Sequence, residues 1–98
     1  MQHAHNTARL KRTEFHDPSR MQVPSILPDA PEVRQDLAHF HDLMTAADYQ
    51  VSDVLEWLAK NGLSDNTIVF VFGDHGTGMP RSKRWVYDSG IRVPLVIR

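Results

Sequence analysis

The sequence predicts an α/β architecture in which helices flank a mostly parallel sheet. Three features predict it: a long amphipathic pattern over residues 31–61, an apolar run at 68–72, and a second apolar run at 91–98. A helix feeding an unbroken β-branched and aromatic run is half of a βαβ unit, and such runs read as strands buried on both faces. The second run is Ile91-Arg92-Val93-Pro94-Leu95-Val96-Ile97-Arg98. Pro94 has no N–H for a ladder bond, so this strand is an edge, bent or interrupted.

Residues 1–30 are polar, are broken by Pro18, Pro24 and Pro28, and lack periodicity. They predict an irregular, mostly extended segment, mobile at its start. The helix begins at Pro31, which suits the first helical position, with Glu32 at the positive end of the dipole. Val33, Leu37, Phe40, Met44, Ala47, Val51, Val54, Leu55 and Leu58 fall within an arc of about 100°. Gln35, Asp42, Asp53, Glu56 and Lys60 lie on the opposite side. Asn61-Gly62 stops the helix, with Gly62 as a left-handed cap. At 1.5 Å per residue such a helix is about 45 Å long.

The run at 68–72 stops in Gly73-Asp74-His75-Gly76. In open α/β sheets the ligand crevice lies beyond the carboxyl ends of the strands, so an acidic and an imidazole side chain fall where such a fold keeps its chemistry. The flanking glycines allow positive φ and close approach of a ligand. Two strands and one helix cannot cover a strand buried on both faces. The chain therefore reads as a piece of a larger α/β domain.

Composition narrows the function. Hydrophobic content of 41% and charged content of 23% are ordinary for a globular protein. A net charge of -1 gives no electrostatic reason to propose nucleic acid or an anionic membrane as partner. No apolar run approaches the roughly 20 residues of a membrane span. The start, Met1-Gln2-His3-Ala4-His5, has no signal-peptide core, so export is not encoded in this chain. With no cysteine, disulfides, thiolate metal sites and a cysteine nucleophile are excluded.

Several motifs together resemble the later part of the catalytic domain of sulfatases, members of the alkaline phosphatase superfamily. They are Leu27-Pro28-Asp29-Ala30-Pro31-Glu32-Val33-Arg34, the long helix, Asp65-Asn66-Thr67-Ile68-Val69-Phe70, Asp74-His75-Gly76, and Lys83 through Tyr87-Asp88-Ser89-Gly90-Ile91-Arg92-Val93-Pro94-Leu95. The resemblance is collinear over residues 18–98 and has a heparan N-sulfatase or iduronate-sulfatase flavour. Asp-His-Gly alone is a weak signal; its combination with the flanking motifs is fairly specific. The fold implied is an alkaline-phosphatase-like sandwich, with the chain divided as 1–30, 31–61, 68–72, 73–90 and 91–98.

By that resemblance, Asp74 and His75 match ligands of a divalent cation, usually calcium, and Lys83 matches the lysine that approaches the sulfate. A carboxylate suits a hard cation, whereas imidazole is less usual for calcium and fits a softer ion. The other reading makes Asp74 a turn cap, His75 an exposed side chain, and Arg81-Ser82-Lys83-Arg84 a solvated basic run. Asp88 and Arg92 read as a structural polar pair.

His16-Asp17-Pro18-Ser19-Arg20 imitates the family's Cys-x-Pro-Ser-Arg signature, whose cysteine or serine becomes formylglycine. His16 cannot undergo that oxidation, and the signature belongs far upstream. Formylglycine is thus expected only in a missing upstream segment, and the chain alone is expected to be inactive. His3 and His5 read as a tail, His39 and His41 as too far apart around a helix to share a metal, and Trp57 and Trp85 as packing residues. Asp48 reads equally as a buried acceptor or a solvated side chain.

Two function classes follow. One is a segment of an enzyme that hydrolyses sulfuric esters or N-sulfates of a small molecule or glycan, with a phosphodiesterase or phosphatase of the same superfamily as a variant. The other is a non-catalytic remnant or binding module. Full-length relatives of the resembled family are commonly periplasmic, secreted or lysosomal.

Overall fold

A computed structural model describes residues 15–98; the His3 and His5 reading lies outside them. The chain forms two compact units, Met1–Val54 and Leu55–Arg98. The main helix, α1, spans Pro31–Lys60 and crosses from one unit to the other.

In the first unit, α1 begins as its residues dictate. The Ala30 carbonyl accepts the first helical bond, from Arg34 N–H at 3.1 Å, so Pro31 occupies the position where a missing N–H has no cost. The segment before it is held to the helix by side chains. Arg34 forms a bidentate pair with Asp29, through Nε at 2.5 Å and Nη2 at 2.7 Å, and its Nη1 donates to the Met21 carbonyl at 2.9 Å. This pairing holds the Asp29 carboxyl below, and the Arg34 guanidinium above, their ordinary values. Asp17 caps the short 3-10 turn Pro18–Arg20 by accepting from Ser19 N–H at 2.9 Å, and hydrogen bonding from the Ser19 side chain and then its backbone holds the Asp17 carboxyl below its ordinary value.

His16 makes the second attachment. Its backbone N–H and its ring Nδ1 both reach Asp42 Oδ1, at 2.8 and 2.9 Å. Asp42 is 6% exposed. Its predicted place on the solvent side of the helix is therefore wrong. Asp42 lies between Ala38 and Ala46, both buried, so a second row at four-residue spacing is covered opposite the apolar arc. Periodicity missed it because alanine is nearly neutral and aspartate counts as polar. Within the predicted arc, Leu37 and Leu58 are buried, but Met44 and Val54 are exposed.

In the second unit, α1 ends in a Schellman motif. Leu63 N–H bonds to the Leu58 carbonyl at 2.9 Å and Gly62 N–H to the Ala59 carbonyl at 3.1 Å, with Gly62 at φ 67°. After a short 3-10 turn, Ser64–Asn66, comes strand β1, Phe70–Phe72. A four-residue helix, α2, covers Asp88–Ile91, and strand β2 covers Leu95–Ile97. The strands pair antiparallel, with Phe70 opposite Ile97, Val71 opposite Val96 and Phe72 opposite Leu95.

This corrects three expectations. The sheet is antiparallel rather than parallel, because among the described residues β1 meets only the strand that returns from its own loop. Both strands are shorter than the runs at 68–72 and 91–98. The second begins after Pro94, which supplies a carbonyl to Gly73 N–H but has no N–H of its own. Finally, β1 is not buried: Phe70 is 57% and Phe72 69% exposed.

Candidate functional site

The site begins where β1 ends. Gly73 N–H bonds to the Pro94 carbonyl at 3.1 Å, closing the ladder and directing the chain into the turn that carries Asp74 and His75. Both side chains are accessible, and Asp74 Oδ1 lies 3.4 Å from His75 Nε2. The other ring nitrogen, Nδ1, lies 2.7 Å from the Gly76 carbonyl oxygen. A carbonyl only accepts, so Nδ1 carries a proton and donates it to that oxygen, which fixes the ring with its Nε2 edge toward the Asp74 carboxylate. A carboxylate and an imidazole are both donor types that divalent cations accept. Among the described residues the pair has no third partner of metal-ligating type.

The following loop is built on two glycines. Gly76 N–H bonds to the Gly90 carbonyl at 3.1 Å, and a β-carbon on Gly76 would run into the Ser89 carbonyl oxygen. A β-carbon on Gly90 would meet the carbonyl oxygens of Ser82 and Trp85. Only hydrogen fits at either position. Lys83 N–H bonds to the Thr77 carbonyl at 2.9 Å, Trp85 N–H to the Ser82 carbonyl at 3.1 Å, and Ser89 Oγ donates to the Arg81 carbonyl at 2.6 Å. Ser82 is buried at the centre, while Arg81, Lys83 and Arg84 are exposed around it.

Lys83 thus sits on a backbone anchored to the residues just after the Asp74–His75 turn. Asp88 and Arg92 lie 3.8 Å apart, one helical turn apart and both solvated, which makes them a weak surface pair. Sequence reasoning missed two features here. Arg81 and Arg84 have positive φ, 62° and 76°, which no residue pattern signalled. Trp85 is 58% exposed rather than packed, and its ring stacks against that of Tyr87 at 6.2 Å and 22°. The Trp85-Val86-Tyr87 alternation beside a basic run was the available signal. Trp57 is likewise exposed.

A carboxylate and an imidazole thus lie together at a strand end, ahead of an anchored loop that carries Arg81, Lys83 and Arg84. The sulfatase family model matches residues 2–98, and the chain belongs to the sulfatase family. That family implies an alkaline-phosphatase-like α/β fold, of which two strands and two helices are too little to display a sandwich. An ulvan-active sulfatase of Formosa agariphila is 40% identical over 80 residues, covering 82% of this chain and 13% of that protein. Human N-sulphoglucosamine sulphohydrolase is 30% identical over 84 residues, covering 86% of this chain and 17% of that protein. A second ulvan-active sulfatase of Formosa agariphila is 29% identical over 102 residues, covering 96% and 20%. The chain thus spans a fifth or less of the length of these relatives. No solved structure matches it.

Proposed function

We propose that this chain contributes part of the catalytic site of a longer sulfatase that hydrolyses sulfuric ester or N-sulfate bonds. The carrying observation is the 3.4 Å approach of Asp74 Oδ1 to His75 Nε2 at the end of β1, in a chain of this family. Asp74 and His75 would hold a divalent cation, of which calcium is the family's usual choice. When bound, such a cation offsets negative charge on a sulfate group and on the oxygen that attacks it. The Nδ1–H···O bond from His75 to Gly76 fixes the ring orientation, with the Nε2 edge toward Asp74 and available to a cation there.

Lys83 engages the sulfate with an ammonium whose donors rotate to meet its oxygens. The anchored backbone at Thr77 limits how far that ammonium can wander. The nucleophile comes from elsewhere in the longer protein, since this sequence has no cysteine and His16 stands where the imitated signature would place one. A sulfated sugar is the favoured substrate class, because the name of the human relative specifies an N-sulfated glucosamine.

The test is turnover of a chromogenic aryl sulfate and of N-sulfoglucosamine. The present 98 residues should turn over neither. In a longer protein carrying the formylglycine signature, Asp74→Ala should abolish turnover and Lys83→Ala should lower kcat/KM by about 10²-fold or more. Full activity in Asp74→Ala would overturn the assignment of the cation site.

A further inference from the structure

We propose that Asn61 is a site of spontaneous deamidation, and that the hydrogen bonds closing the carboxyl end of α1 set its rate. Asn61-Gly62 plays no part in the sulfatase reading above, so neither depends on the other.

The chemistry is intramolecular. The Gly62 backbone nitrogen attacks the side-chain carbonyl carbon of Asn61, the new C–N bond closes a succinimide ring, and the side-chain nitrogen leaves as ammonia. Water then opens the ring at either carbonyl, giving aspartate or isoaspartate, with no change of oxidation state. Glycine after asparagine favours the first step, because no β-carbon hinders the attacking nitrogen and its backbone reaches conformations other residues avoid. That nitrogen must give up its proton, and the carboxamide must swing toward the next residue.

The end of α1 opposes both requirements. Gly62 N–H donates to the Ala59 carbonyl at 3.1 Å, which keeps the proton on the nitrogen that would attack. Asn61 Nδ2 donates to the Trp57 carbonyl at 2.7 Å and so turns the carboxamide back along the helix. Asn61 N–H reaches the same carbonyl at 3.2 Å, and Leu63 N–H closes the outer turn on Leu58 at 2.9 Å. Cyclisation therefore proceeds from molecules whose last turn has opened, and helix ends open locally without global unfolding.

Neither product restores this arrangement. Aspartate at position 61 lacks the Nδ2 donor and sets a negative charge at the negative end of the helix dipole. Isoaspartate also lengthens the backbone by a carbon, between α1 and the segment that leads through β1 to Asp74 and His75.

The test follows residue 61 by peptide mapping with mass detection while the 98-residue chain is held at mildly alkaline pH, with an enzymatic assay for isoaspartate alongside. The same chain in guanidinium chloride gives the rate without the cap. The folded chain should convert at residue 61 at least about tenfold more slowly. Lys60→Gly weakens the last turn without touching either reacting residue. It should raise the folded rate at least about threefold, still below the rate in denaturant, and leave the denatured rate unchanged. Asn61→Asp, the first product, should lower the thermal midpoint and speed hydrogen exchange at the Gly62 amide. Equal rates in the folded and denatured chains would overturn the control assigned to the cap, as would a folded rate untouched by Lys60→Gly. No conversion at residue 61 in denaturant would overturn the site itself.

Discussion

Asp42 accepts two hydrogen bonds on one oxygen, from the backbone and the ring of His16, at a position 6% exposed to solvent. This contact joins residues 26 apart in sequence. Asp42→Ala removes the acceptor and leaves the His16 amide without it, at a cost of about 1–3 kcal/mol. The His16 amide should then exchange with solvent at least tenfold faster in hydrogen-exchange experiments, while amides at the carboxyl end of α1 keep their protection. Unchanged exchange at His16 would show that the attachment contributes nothing. Residues 74, 75 and 83 were legible as candidates because a strand-end Asp-His-Gly and a spaced lysine are sequence patterns. The proton position on His75 was not, because it depends on the neighbouring Gly76 carbonyl.

Two glycines with different jobs separate the elements. Gly62 ends α1 at positive φ with open space around it, so only its backbone conformation opposes a side chain. Gly90 sits against the carbonyl oxygens of Ser82 and Trp85, so the obstacle there is backbone atoms that cannot turn aside. In a Trp57→Phe background, which leaves Trp85 as the sole tryptophan, Gly62→Ala should lower stability by about 1–2 kcal/mol and leave Trp85 emission unchanged. Gly90→Ala should disturb the loop itself, shifting Trp85 emission and costing about 1–3 kcal/mol or more. Identical emission spectra for the two variants would contradict this division. The cap at Gly62 was readable from Asn61-Gly62 following an amphipathic run. The role of Gly90 was hidden, because its close neighbours lie five and eight residues earlier in the chain.

The hairpin sets the behaviour of the molecule as a whole. Phe70, Phe72, Leu95 and Ile97 are all more than half exposed, and each strand pairs only with the other in the described sheet. Apolar strands with open edges template association with other chains. The 98-residue chain should therefore bind a hydrophobic dye and self-associate at micromolar concentration in sedimentation velocity. Phe72→Lys, placing a charge at the end of β1, should shift the distribution toward monomer. A dye-silent monomer with a cooperative thermal transition would refute this.

Local chemistry settled what could be read along the chain: a helix from Pro31, its glycine stop, an apolar strand, and a turn bearing Asp74 and His75. These follow from cap preferences, periodicity and backbone restrictions, which act over a few residues. Pairing direction and the covered Ala38–Asp42–Ala46 row arise from contacts between segments distant in sequence, whereas the positive φ of Arg81 and Arg84 and the Trp85–Tyr87 stack belong to one loop whose conformation no residue pattern signals. Periodicity assigns a face to a residue but not its partner. The burial of Asp42 depends on where His16 arrives, and the exposure of β1 depends on what else is there to cover it.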